Sequence, residues 1–324
     1  MTRVLVVRPS SLGDVVHALP IAADIASALP LSSIDWIAEE PFAPIVALNR
    51  HVHRIVPVAL RRWRHHPASG STWREMTRFR REIREVRYDV VLDLQEQMKG
   101  ALMSRLAHGA VHGFDRDSIR ERASTWLHDR HHAVSRDLHF NERCRALAGQ
   151  ALGYVPHGPP LYGLEVPVPA QCLTFELPYA VCVHVTSRDD KRWPEAHWHA
   201  VIDALDRAGI TSLLPWGNDA ERARSAALAR GHSRAVVPEH TPLADLAAVM
   251  ARAKAVIGVD TGLVHLAAAL HVPTVAIFTS TDARLAGVAV TGAHAIDLGG
   301  NADIPSAQAV MQALAKVSDA KAPC

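Results

Sequence analysis

The chain has 324 residues, 48% of them hydrophobic and 21% charged, with a formal net charge of +2. That length suits two domains whose cores need no disulfide or metal staple, and the composition excludes wholesale disorder. A membrane-spanning helix is excluded too, because the longest apolar stretch, Leu263 to Phe278, is cut by His265, His271 and Pro273.

In chain order, Arg3–Arg8 reads as a short strand of β-branched residues. The loop Pro9-Ser10-Ser11-Leu12-Gly13-Asp14 follows, then a helical pattern over Val15–Leu29. Strands are predicted at Ser33–Ala38 and Arg54–Val58, with a short helix over Pro41–Leu48 between them. Thr72–Val86 reads as a strongly charged helix, Asp89–Leu94 as a buried strand and Gln97–Ala107 as a helix. Residues 153–178 hold nine glycines and prolines, which marks a connection between domains. The pattern then restarts. Strands are predicted at Tyr179–Val185, Ile210–Leu214, Ala235–Val237, Ala255–Val259 and Thr274–Phe278. Helices are predicted at Pro194–Ala208, Asp219–Arg230, Pro242–Ala253, Gly262–Leu270 and Pro305–Ser318. Strands alternating with helices imply parallel sheets covered on both faces. The expected fold is α/β, with two Rossmann-like doubly wound domains facing a cleft, the first over 1–165 and the second over 166–304.

Charge is uneven. Residues 1–165 hold 22 basic and 18 acidic residues, and the remainder hold 13 and 15. Arg61 to Arg87 contains nine arginines against three glutamates, and only five of the 35 basic residues are lysines. Arginine suits bidentate contact with phosphate and carboxylate, although a solvated helix face has the same composition. The patch has few interleaved aromatics beyond Trp63, Trp73 and Phe79, so nucleic acid is not an expected partner. Cys144, Cys172, Cys182 and Cys324 lack ligand spacing, and the N-terminus lacks an export signal. Reduced thiols and a cytoplasmic location are therefore expected.

Three loops carry chemistry. Val256-Ile257-Gly258-Val259-Asp260-Thr261-Gly262-Leu263-Val264-His265 is a strand that ends in Asp-Thr-Gly and opens a helix. Its amides at a helix N-terminus form an anion site, with the Thr261 hydroxyl able to donate or simply to cap. His184 to Pro194 places Thr186, Ser187, Arg188, Lys191 and Arg192 between a strand and a helix of the same domain. Lys191 could neutralise a departing diphosphate, whereas a solvated loop needs no ligand. Together the two loops point to a nucleotide diphosphate. In the first domain the Ser10–Gly13 loop ends in Asp14, where a carboxylate repels phosphate. Asp14 is either a general base for an acceptor hydroxyl or a helix cap. Glu221, after Pro215-Trp216-Gly217, could accept from ribose hydroxyls or stand exposed at a helix start. Asp115-Arg116-Asp117 matches an Asp-x-Asp metal pattern but lies in the domain without the diphosphate loops.

Ser10-Ser11-Leu12-Gly13-Asp14-Val-Val-His, Arg61-Arg62-Trp63-Arg64, Arg188-Asp-Asp-Lys-Arg-Trp-Pro-Glu and Val259-Asp-Thr-Gly-Leu-Val-His-Leu, in this order, resemble the lipopolysaccharide heptosyltransferase I family. The resemblance spans Arg3 to about Ala315. It implies a GT-B fold whose last segment, 305–324, is a helix crossing back to the first domain. It implies transfer of L-glycero-D-manno-heptose from ADP-heptose to the inner Kdo of Kdo-lipid A, with inversion and with no metal or other cofactor. By resemblance Asp14 is the catalytic base, and Lys191, offsetting the charge of the departing diphosphate, is expected to be catalytic with it. Thr186, Ser187, Lys191, Thr261 and Gly262 meet the donor phosphates, Glu221 the ribose, and Asp260 and His265 the sugar or phosphates. Ser10, Gly13, Arg61, Arg62, Arg64 and Arg120 fall where the family binds its anionic acceptor. A monomer, peripheral on the cytoplasmic face of the inner membrane, is implied as well. The chain departs from the family pattern at His65, Glu96 and Ser280-Thr281-Asp282-Ala283. The rival readings are heptosyltransferase II or another nucleotide-sugar enzyme of the same fold, and a two-lobed binding protein without catalysis.

Overall fold

A computed structural model describes residues 1–167 and 178–319. Cys172, Cys324, the segment 168–177 of the predicted connection and the segment 320–324 lie outside the described residues. The chain divides into two compact units, Met1–Glu165 and Val166–Cys324.

The first unit holds β1 (Thr2–Val7), β2 (Ser32–Glu39), β3 (Val52–Val58), β4 (Arg87–Asp93), β5 (His108–Phe114) and β6 (Arg130–His132). They form one parallel sheet in the order β3-β2-β1-β4-β5-β6. The second unit holds β7 (Tyr179–Val183), β8 (Thr211–Leu213), β9 (Ala235–Val236), β10 (Ala255–Val259), β11 (Thr274–Phe278) and β12 (Ala295–Gly299). Its parallel order, β12-β11-β10-β7-β8-β9, is the same winding repeated. In each sheet the winding reverses between the unit's first and fourth strands, and ligands of such sheets sit at the carboxyl ends of the strands there. The Ser10–Asp14 loop follows β1, Lys191 follows β7 and Asp260 follows β10.

The central strands are buried on both faces, with Val4 to Val7 and Val256 to Ile257 fully enclosed. On one side of the first sheet Leu5, Val7, Ile37, Val56 and Val91 pack with Phe79 and Ile83 of the helix Gly70–Arg84. In the second unit Trp193 and Trp198 meet edge to face at 5.1 Å within a core that includes Ile257, Ile277 and Leu205.

Several elements differ from expectation. The helix predicted over Val15–Leu29 is two helices, Leu12–Ala18 and Pro20–Ala28, since Pro20 has no N–H for the Val16 carbonyl. The charged helix is preceded by a separate helix, Leu60–His65, that carries the Arg-Arg-Trp-Arg run. β5, β6, β12 and the helix Phe140–Leu152 lie where no element was predicted. β5 reads His-Gly-Ala-Val-His-Gly-Phe and β6 Arg-His-His, without the apolar alternation that announces a strand. Gly113 in β5 is required by a close approach: a Cβ there would stand 2.2 Å from the buried His128 ring.

The last helix spans Ala307–Asp319 among the described residues. Ala307–Asp319 buries Val310, Ala313, Leu314 and Val317 in the second unit's own core, beside Trp193, Trp198 and Val275. Its apolar face is already covered there. Among the described residues no helix is long and apolar enough to cross a membrane.

The core beneath this helix sets a stability prediction. Trp198 is fully buried, so Trp198→Ala should cost about 3–5 kcal/mol, read as a lower urea midpoint for the second unit.

Candidate active site

In the first unit the chain leaves β1 at Arg8 and turns into the helix Leu12–Ala18. Arg8 is 6% exposed. Its Nη2 donates to Asp14 Oδ1 at 2.8 Å, and its Nη1 donates to the Leu94 carbonyl just past β4. The other carboxylate oxygen, Asp14 Oδ2, accepts from the backbone N–H and the hydroxyl of Ser11, both at 2.8 Å. Asp14 is therefore the third residue of its helix reaching back to the first-turn donors, as a capping carboxylate does. It is also 36% exposed, so it keeps access to a ligand. Burial pushes its carboxyl up, but the Arg8 guanidinium and the Ser11 hydrogen bonds outweigh that and hold it below the usual carboxylate range.

Around Asp14 stand groups that the motif reading missed. Lys99 Nζ donates to Ser10 Oγ at 3.0 Å. Desolvation, with Arg8 and Arg61 nearby, draws its ammonium below the usual lysine value despite Glu39 and Asp14. Glu39, at the end of β2, is buried and pairs with Arg61 Nε at 3.2 Å. Beneath the loop after β4, Asp93 accepts from the Gln95 N–H at 3.0 Å and pairs with His128 at 2.9 Å, both side chains enclosed. Arg8 had a legible signal: a cation at a strand's last position, six residues before Asp14. Lys99 had none, being one lysine in a helix.

The four arginines expected to meet an anionic acceptor sit differently from one another. Arg62 bridges Glu40 at 2.9 Å and Glu75 at 2.7 Å, and Arg61 is held by Glu39. Arg64 and Arg120 are exposed. Gly13 lies in the first turn behind Ser11, and Ser10 is buried. Asp115 accepts from the Ser118 N–H at 2.8 Å, which is a turn function.

In the second unit Lys191 and Asp260, from the loops after β7 and β10, meet at 2.6 Å. Asp260 is 7% exposed at its side chain, and its other oxygen lies 3.4 Å from His265 Nε2. Burial raises the Asp260 carboxyl, but His265 and Lys191 together hold it far below the ordinary carboxylate range. Lys191 lies in a short 3₁₀ turn, Asp189–Lys191, tied down where Thr279 Oγ1 donates to the Asp190 carbonyl at 2.7 Å. The loop's other cations are neutralised locally: Arg188 pairs with Asp190 and Arg192 with Asp189. Lys191 alone of the three reaches inward to Asp260.

Thr261 is the N-cap of the helix Gly262–Ala269, with extended backbone and no side-chain capping bond. Its hydroxyl and the first helix amides are thus unspent on capping. Thr186 and Glu221 line a cavity of about 310 Å3, together with His184, Arg192, Glu195 and Arg224. Burial pushes the His184 imidazole down to about 4, and its Nε2 lies 2.9 Å from the Ser225 hydroxyl. Glu221 accepts from the Gly217 N–H at 2.7 Å through Oε2, which orders the turn after β8. Ser187 is exposed on the Lys191 loop.

Each unit thus carries a carboxylate–cation pair at its strand ends: Arg8–Asp14 in the first, and Lys191–Asp260, beside the N-terminus of the helix Gly262–Ala269, in the second. Residues 76–306 match the family model of glycosyltransferase family 9 (heptosyltransferase). The chain belongs to glycosyltransferase family 9. This family 9 chain is 41% identical over 287 residues to lipopolysaccharide heptosyltransferase 1 of Salmonella typhimurium, covering 88% of the chain and 90% of that protein. It is also similar to the solved structure of E. coli heptosyltransferase WaaC with ADP, with a TM-score of 0.88 and 37% identity over 98% of this chain and 100% of that one. The structure of the same E. coli enzyme with ADP-2-deoxy-2-fluoro heptose gives 0.84 and 37%, over 96% and 98%. The two parallel six-stranded sheets are those of the GT-B heptosyltransferases.

The Asp260 pair sets a pH dependence. A carboxyl held below its unfolded value stabilises the fold above about pH 4 and loses that contribution as the pH falls. The stability gap between wild type and Asp260→Asn should therefore narrow from pH 6 toward pH 3, followed as urea midpoints; a gap independent of pH contradicts the ion pair.

Proposed function

We propose that this family 9 glycosyltransferase moves L-glycero-D-manno-heptose from ADP-heptose to the inner Kdo of Kdo-lipid A. The observation that carries the reading is the likeness, over nearly the full chain, to a heptosyltransferase solved with an ADP-heptose analogue. The acceptor hydroxyl attacks the anomeric carbon, the bond from that carbon to the diphosphate oxygen breaks, and the carbon inverts. Asp14 takes the hydroxyl proton and later returns it to water. ADP leaves with the negative charge, which Lys191, the Thr186, Ser187 and Thr261 hydroxyls and the amides from Gly262 onward offset. Glu221 receives the ribose, and Asp260 and His265 orient Lys191 and the sugar. Asp14 is a weak base, so the proton moves late, once bond formation has acidified the hydroxyl.

On the acceptor side, Ser10, Gly13, Arg61, Arg62, Arg64 and Arg120 contact the anionic Kdo-lipid A. The segment 61–87 then meets an anionic membrane surface at the cytoplasmic face. Among its residues Arg64, Arg74, Arg80 and Arg84 are exposed, and Trp73 is 59% exposed. Each free arginine contributes roughly 1 kcal/mol near such a surface. The transfer uses no metal, because the lysine and the helix N-terminus carry the charge that a cation carries elsewhere.

Asp14→Asn should lower turnover by ~10²–10⁴-fold with ADP affinity intact, measured as ADP release with Kdo-lipid A in the presence of a chelator. Near-normal turnover in that variant removes Asp14 as the base, and loss of wild-type activity to the chelator removes the metal-free scheme. Affinity for phosphatidylglycerol vesicles should fall steeply as salt rises through 0.1 M, where the Debye length is about 10 Å. A salt-independent affinity contradicts electrostatic docking.

A further inference from the structure

We infer that Arg8 is a positioning residue for the transfer, its buried guanidinium holding Asp14 by an ion pair that fixes which carboxylate oxygen receives the proton. The inference rests on the reading of Asp14 as the base and concerns how that base is built.

The geometry is specific. The Arg8 guanidinium is buried at the switch point of the first sheet. One nitrogen is anchored on the Leu94 carbonyl past β4, and a second lies 2.8 Å from Asp14 Oδ1. Its Nε lies 3.4 Å from the Asp14 carbonyl, and the Arg8 carbonyl itself accepts from Trp36 Nε1 at 3.3 Å. Arg8 is thus held by β2, β4 and the helix it serves. A carboxylate offers about four acceptor positions. Ser11 fills two on Oδ2 and Arg8 one on Oδ1. The open position is on Oδ1, so the acceptor hydroxyl binds beside the guanidinium.

Arg8 also decides the charge. The other groups that face Asp14 are His17 on its own helix, Lys99 on the helix Met98–Ser104 and Cys144 on the helix Phe140–Leu152. Asp93 and Glu96 face Arg8 from the β4 end. Cys144 is driven by burial up to about 11 and stays neutral. Burial alone drives the Asp14 carboxyl toward its neutral form, and Arg8 is the foremost group opposing it. A guanidinium, unlike an ammonium, cannot lose its proton here. With Arg8 neutralised, the Ser11 hydrogen bonds and His17 are left to oppose burial, and the carboxyl rises from its wild-type position.

The test is the pH dependence of turnover with ADP-heptose and Kdo-lipid A in Arg8→Gln, Arg8→Lys and Asp14→Asn, with ADP affinity and the thermal midpoint measured alongside. Arg8→Gln should move the acid limb of kcat upward by about one pH unit or more, as expected when a partnered carboxylate loses its cation, with ADP affinity unchanged. Arg8→Lys should leave the limb near the wild-type position. A folded Arg8→Gln enzyme whose limb does not move overturns the role of Arg8. An acid limb that persists in Asp14→Asn instead overturns the base assignment, whatever Arg8→Gln does. Where Arg8→Gln fails to fold, the 13C carboxyl resonance of Asp14 in the wild-type protein decides: titration below the ordinary aspartate range supports the pair, and titration at or above it overturns it.

Discussion

A carboxylate taken out of water stays charged only if a cation and hydrogen bonds replace the water. Both units meet that requirement at their sheet's point of reversal, in the shortest connections available. Asp14 is six residues from Arg8 in one continuous turn out of β1. Asp260 and Lys191 come from the ends of two neighbouring strands, β10 and β7. The parallel sheets matter because they bring these ends side by side, and the apolar strands matter because they confine the charged groups to their carboxyl ends.

The two pairs differ in a way that fits different tasks. Arg8 is a rigid planar fork anchored on a backbone carbonyl, and it cannot release its partner without exposing a buried charge. Lys191 is a flexible point charge, 18% exposed, on a loop beside a free helix N-terminus. It is less enclosed than Arg8, and His265 stands beside the other oxygen of its partner Asp260.

Much of this was legible in the sequence. The apolar strands ending at Arg8, Val183 and Val259 show the sheet, and the Asp-Thr-Gly turn and the lysine loop mark the two strand ends where Asp260 and Lys191 meet. What escaped were groups whose role depends on non-local contacts. β5 and β6 are strands because β4 and β5 offer them hydrogen-bonding edges, not because histidine and glycine favour extended backbone. Lys99 matters because its helix returns it to Ser10, 89 residues away in sequence. The pairing of Arg188 and Arg192 with their own aspartates, which singles out Lys191, is likewise invisible in a row of charges. The last helix reads correctly as an amphipathic helix, but nothing in its periodicity states which sheet takes its apolar face.

Glu39 and Glu40 hold Arg61 and Arg62 before any ligand arrives. An anionic group docking there trades one carboxylate for another anion, so the net attraction of those two arginines at a distance is small. Any anion recognition at this corner would therefore resemble ion exchange: weak at long range, and favouring a ligand whose charge is dense enough to displace a tethered carboxylate. A ligand with a single diffuse charge would leave the acidic pair in place.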